Sequence, residues 1–255
     1  MKYPFKDVIP KIYPNTFLKD VSLSVTCPDA AAEVQVINHK DFFKKHFGIS
    51  DIKQDDDGNV RIVSQDRKIV FLFGTQFVSV KIKYPVYRSF RQIMGWVDVL
   101  SEYLSKINDD GHPSYVTIAK FNELQYELNK GEKGGVLEVM SGVFSKDLLS
   151  FNDGEEYLKP EMFEDLSRWE RKITLSDAES DSNVNVVYGF SKEEQLQKNA
   201  SRRGKLTLRS DINFKAGNIG TSDFKECLAN KYNRILDNAF HWCVTPGIIK
   251  AMENK

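Results

Sequence analysis

Four histidines, three cysteines and one dense basic cluster are the residues of this 255-residue chain with chemistry to offer. His39, His46, His112 and His241 form neither HExxH, nor HxH, nor a Cys/His zinc spacing. His39 and His46 share one helical face but sit two turns apart, too far to hold one metal without a third partner. His241 stands beside Trp242 in an apolar-striped helix, where a hydrogen-bonded core histidine is a simpler reading than a catalytic base. Cys27, Cys227 and Cys243 show no C-x-x-C pairing and read as reduced, buried thiols. The serine elbow G-x-S-x-G is absent too. No catalytic, cofactor-binding or metal-binding residue is assigned on these grounds, and no cofactor is expected.

Two loops imitate ligand motifs. Asp55-Asp56-Asp57-Gly58-Asn59 resembles the opening of a calcium loop, but Gly58 is fourth instead of sixth and position twelve is Asp66 instead of Glu. A hairpin turn explains it better. Lys215 to Ser222, KAGNIGTS, lacks the Walker pattern, although a strand-to-helix turn there can present backbone N–H groups to an anion. Lys198, Arg202, Arg203, Lys205 and Arg209 are the weak candidates for nucleic-acid or anion binding. Glu193 and Glu194 precede them and no aromatic residues interleave, so a solvated loop competes with that reading.

Composition narrows the classes further. Lys+Arg and Asp+Glu both number 36, for a formal net charge of zero, which argues against a general nucleic-acid or membrane-surface binder. No apolar run reaches the length of a membrane span. The opening MKYPFKDVIPKIYP has neither an apolar h-region nor a cleavage site, so a cytoplasmic location is expected.

The elements that must position these residues follow the hydrophobic period. Tyr84 to Ile107 is the organising stretch: Phe90, Ile93, Met94, Val97, Leu100 and Leu104 recur at helical spacing after Pro85. Gly95 within it suggests close packing, since glycine costs about 1 kcal/mol against alanine in a helix. Pro4, Pro10 and Pro14 make residues 1–16 an extended arm. Phe17 to Thr26 alternates as a half-buried strand, Asp29 can cap the helix that follows, and 60–64, 68–73 and 77–83 form an antiparallel meander. A strand from Tyr115, a helix over 136–151, strands at 169–175, 184–190 and 205–214, and a helix from Phe224 complete the chain. Thr245-Pro246-Gly247 is expected to end that helix before a short tail.

The opening FLKDVSLSV strand, the meander, Tyr84, Tyr87 and Phe90 at the start of a long helix, and LDNAFHWCVT at 236–245 together resemble a sporadically distributed, functionally uncharacterised bacterial family of about this length. The resemblance spans nearly the whole chain. Where that family has a Gly-Leu-Arg-Tyr-like strand, this chain has YVTIAKFNEL. It implies no activity, cofactor or site residue.

The expected fold is α+β: two antiparallel sheets, or one continuous curved sheet, covered by long helices, from an internal duplication of a β-α-β-β-β-α unit. The arm, 1–16, precedes a first half at 17–110 and a second half at 111–255 with longer loops. The leading function is a non-catalytic cytoplasmic binding or interaction protein, an accessory component of a bacterial system. Its expected partner is another protein; nucleic acid and membrane are disfavoured, and a homo-oligomer is allowed. The alternative is a small-molecule-binding or enzymatic domain with a pocket between sheet and helix, which requires a cavity of roughly 300 Å³ or more.

Overall fold

Strict alternation of apolar and polar residues dominates the chain, and each alternating run becomes a strand with one buried face. A computed structural model describes residues 3–26, 40–47, 52–64, 66–84, 86, 89–107, 115–128, 135–150, 166–195, 203–217 and 224–254. The strands are β1 (Leu18–Thr26), β2 (Ile52–Gln54), β3 (Val60–Val63), β4 (Ile69–Gly74), β5 (Phe77–Lys83), β6 (Tyr115–Leu128), β7 (Arg168–Asp177), β8 (Ser182–Gln195) and β9 (Arg203–Gly217). They form one nine-stranded sheet in the order β2-β3-β4-β5-β1-β6-β9-β8-β7, and every pairing is antiparallel.

The helices are α1 (Lys40–Phe47), α2 (Phe90–Ile107), α3 (Val136–Val143), α4 (Lys146–Leu149), α5 (Phe224–Glu226), a π turn (Cys227–Tyr232), α6 (Asn233–Cys243) and α7 (Pro246–Glu253). They pack on the sheet face that carries Val21, Leu23, Val80, Ile118, Val186 and Ile212, all buried. On that face Phe43 of α1 meets Phe73 and Tyr103 edge-on at ring separations of 5.1 and 4.9 Å, an arrangement aromatic rings favour. Among the described residues no helix is long and apolar enough to cross a membrane.

This architecture corrects the expected fold. One sheet replaces two sheets under long helices, because β1 and β6 pair along their length, Val21 opposite Lys120 and Leu23 opposite Ile118. Nor does the element order keep a copied β-α-β-β-β-α unit: β2 adds a strand after α1, and both α3 and α4 lie between β6 and β7. The helix expected over 136–151 breaks at Phe144, which forms a bridge with Val244. The terminal helix is interrupted by its π turn. Thr245-Pro246-Gly247 starts a helix instead of ending one: Thr245 Oγ1 accepts from Ile248 N, and Pro246 occupies the first turn, where its missing N–H costs nothing.

Gly95 is exposed, and an added Cβ would meet nothing within 4 Å, so the close packing expected there is absent. The Asp55–Asn59 loop is the expected turn. Asp55 Oδ1 accepts from the backbone N–H of Asp57 and Asn59 at 3.1 and 2.8 Å, and Gly58 takes φ +84°. The helix cap expected at Asp29 lies outside the described residues.

Candidate functional site

Along β6 the alternation places Val116, Ile118, Lys120 and Asn122 on the helix-covered face, and all four are buried. Two of the four are polar. An ammonium in such a place must be paired, since removing a charge from water costs several kcal/mol after relaxation, roughly, even in a real protein. Lys120 Nζ donates to Asp237 Oδ1 at 2.5 Å and to Asn233 Oδ1 at 2.8 Å.

Both acceptors come from α6. Asn233 and Asp237 are one turn apart on the same helical face, and Asn233 Nδ2 also donates to Asp237 Oδ2 at 3.3 Å. They follow directly on the π turn. The wider turn shifts the rotational phase of everything after it, and such bulges occur often at functional sites. Asn122 makes only long contacts, 3.5 Å from Nδ2 to both the carbonyl and hydroxyl oxygens of Ser210.

One turn beyond Asp237 stands His241, with its Nε2 2.7 Å from the Tyr13 hydroxyl. Burial holds the imidazole below its ordinary pKa, against a smaller upward pull from Asp237, and burial raises the Tyr13 phenol. The pair is therefore neutral at pH 7, linked through one hydrogen bond.

Tyr13 belongs to the proline-punctuated arm, which lies across α6 and α7 as an extended strap. Arg234 Nε donates to Asp7 at 2.6 Å, the amide of Val8 donates to Asn238 Oδ1, Lys11 pairs with Glu253 at 2.7 Å, and Asn15 N donates to the Met252 carbonyl. Phe5 stacks with Tyr3 and leans on Trp242.

Sheet, arm and helix border a half-open cavity of about 510 Å³. Lys120, Asn122, Asn233 and Asp237 supply its polar floor, and Phe90 and Phe240 are among its apolar walls. Among the described residues no group of three or more His, Cys, Asp or Glu side chains could hold a metal ion.

Of the basic cluster singled out in the sequence, neither Lys205 nor Arg209 lines this cavity. Lys198 and Arg202 lie outside the described residues, and Arg203 opens β9 opposite Gln195. Lys205 stands in register between Glu127 and Glu193, and Arg209 Nε lies 3.7 Å from Glu123 Oε2. Acidic neighbours on the adjoining strands thus interleave with the described part of the cluster. In the KAGNIGTS loop, residues 218–222 are outside the described residues. His46 sits on α1, 4.0 Å from Glu102; His39 and His112 are outside the described residues.

Sequence reasoning missed Lys120, Asn233 and Asp237. The signal was present: in YVTIAKFNEL the period of two puts a lysine and an asparagine on the same face as Val116 and Ile118. A scan against protein-family models and a search among curated proteins each return no match.

Proposed function

We propose that the chain is a non-catalytic binding protein for a small molecule held between the sheet and α6. The observation that carries this reading is the cavity of about 510 Å³ floored by Lys120, Asp237, Asn233 and Asn122. Its size falls within the range of ligand pockets, and a few polar groups converging in an apolar setting are how such pockets fix a ligand's orientation. A sheet serving only to fill a core would carry apolar side chains at positions 120 and 122.

The lining also selects the ligand's chemistry. Lys120 is neutralised by Asp237 and Lys11 by Glu253, so a strongly anionic ligand would have to displace a carboxylate. An uncharged molecule with amide, hydroxyl or ring-nitrogen groups fits better, its polar edge on Asn122 and Asn233 and its flat side against Phe90 or Phe240. The same cavity favours this reading over a protein-interaction module, which needs no concave pocket of this size.

The test is a panel of neutral nucleosides, nucleobases and sugars, each added to the intact protein and followed by NMR. The expected result is a shift localised to His241 and the β6 amides, lost in Asn122→Leu and weakened in Asn233→Leu. Shifts confined to the opposite sheet face, or no shift from any member of the panel, would overturn the proposal.

A further inference from the structure

The sheet face away from the helices carries a second, independent cavity of about 310 Å³, at the β7–β8–β9 end. Its floor is Gly189. An added Cβ there would lie 2.1 Å from the Trp169 carbonyl oxygen and 2.8 Å from Glu170 Cα, so no side chain fits and the floor stays open. In register, Gly189 is flanked by Glu170 on β7 and Arg209 on β9. Those two strands stand about 10 Å apart, twice the ordinary strand spacing.

The charges around this floor are sorted. One residue pair along the strands in one direction lies Arg168, beside Ser191; in the other lies Asp211, beside Val187. The alternation of β7 and β9 puts Arg168, Glu170, Arg209 and Asp211 all on this face, because Ile173, Leu175, Leu208 and Ile212 are buried on the other. On each of the two strands the arginine therefore lies one pair further in the same direction than the carboxyl group, while Glu170 and Arg209 share the Gly189 row.

The existing pairings are easily exchanged. Arg168 meets Glu170 at 3.1 Å and Arg209 meets Glu123 at 3.7 Å, with both arginines about half exposed or more. Exposed pairs of that kind contribute at most about 1 kcal/mol. Asp211 has no such partner: its Oδ1 is buried without any hydrogen bond. Buried polar atoms are nearly always satisfied, so an orphaned one asks what completes it. Burial, with Asp20 and Glu170 nearby, raises the Asp211 carboxyl pKa against a smaller opposing effect of Lys81. A ligand cation on this carboxylate would reverse that penalty.

We infer that this hollow is a second binding site, for a zwitterion of the α-amino-acid class. Its ammonium group sits on Asp211 and its carboxylate on Arg209, two positions along the same strand. The side chain leaves over Val187 and Phe121, two of the apolar members of the lining. The inference does not rest on the helix-side cavity.

Calorimetric titration of the intact protein with the proteinogenic L-amino acids, at millimolar concentration, tests it. At least one should bind, and its N-acetyl and amide derivatives, each lacking one charge, should bind about tenfold more weakly or worse, the scale of a lost charge-assisted hydrogen bond. Asp211→Asn and Arg209→Gln should each weaken binding to a similar extent while thermal unfolding stays near that of the parent. NMR should place the response at the amides of Val187 and Gly189, not at His241, which separates this site from the helix-side cavity. Absence of binding by every amino acid overturns the inference. So does equal binding of the blocked derivatives, insensitivity to both substitutions, or a response confined to His241.

Discussion

Lys120 and Asp237 approach to 2.5 Å although 117 positions separate them in the chain, and their contact ties the middle of the sheet to α6. Both side chains are largely shielded from water, Lys120 at 11% and Asp237 at 23% exposure. The contact links the fold to the cavity: the same pair that fastens the helix forms part of the cavity floor.

Removing one partner should therefore hurt more than removing both. Lys120→Met leaves Asp237 without its cation and should cost about 3 kcal/mol, as when a buried pair is broken. The double variant Lys120→Met/Asp237→Leu should recover most of that loss. Urea unfolding of the four proteins gives the coupling energy, and strictly additive losses would show that the pair does not act as a unit.

His241 makes stability pH-dependent with a definite sign. Its pKa is lower in the folded than in the unfolded chain, where it lies at about 6.5. The unfolded chain therefore binds more protons below that pH, so stability falls as pH drops from about 6.5 toward the depressed folded value. His241→Gln should flatten this part of the curve. A slope unchanged in the variant would assign the titration to other groups.

Two glycines should respond in opposite directions to alanine. Gly189→Ala drives a Cβ onto the Trp169 carbonyl and should cost about 1–3 kcal/mol, the range for overpacking. Gly95→Ala, in the exposed face of α2, meets no atom and should stabilise by up to about 1 kcal/mol through helix propensity. Chemical denaturation distinguishes the two; a neutral Gly189→Ala would mean the β7–β8 pair can relax apart.

Val97 is buried at 1% exposure on the inner face of α2. Val97→Asp places an unpaired carboxylate there and should leave the protein unfolded or aggregated, a loss of several kcal/mol by the usual desolvation cost, roughly. A thermal transition close to that of the parent would contradict the packing of α2 on the sheet.

The strands were legible because period-two alternation is local. β6 begins at Tyr115 as expected from the sequence, and the meander of β3, β4 and β5 falls within a residue or two of its expected limits. The sheet they compose was not legible, since the pairing of β1 with β6 depends on contacts about a hundred positions apart. Phe144 illustrates the same limit: it continues an apolar helical pattern, yet its bridge to Val244 ends the helix. The cavity failed for a subtler reason. Lys120 and Asp237 carry ordinary surface chemistry when read alone, and only the fold makes them a buried pair. At His241 the sequence favoured a hydrogen-bonded histidine; its partner, Tyr13, could not be named from local pattern.

The strap formed by the arm bears on how the protein is made. Synthesis delivers Asp7 and Tyr13 well before their partners Arg234 and His241, at separations of 227 and 228 positions. While the chain is still growing, the arm has nothing to clasp, whereas Ile9 and Ile12 stay exposed even once it is docked. The sheet can assemble from one side to the other, but the wall that Tyr13 gives the cavity has to wait for α6. All nine described strands end by Gly217, so a chain stalled before Asn233 would have the strands of the sheet without the helix that walls the cavity.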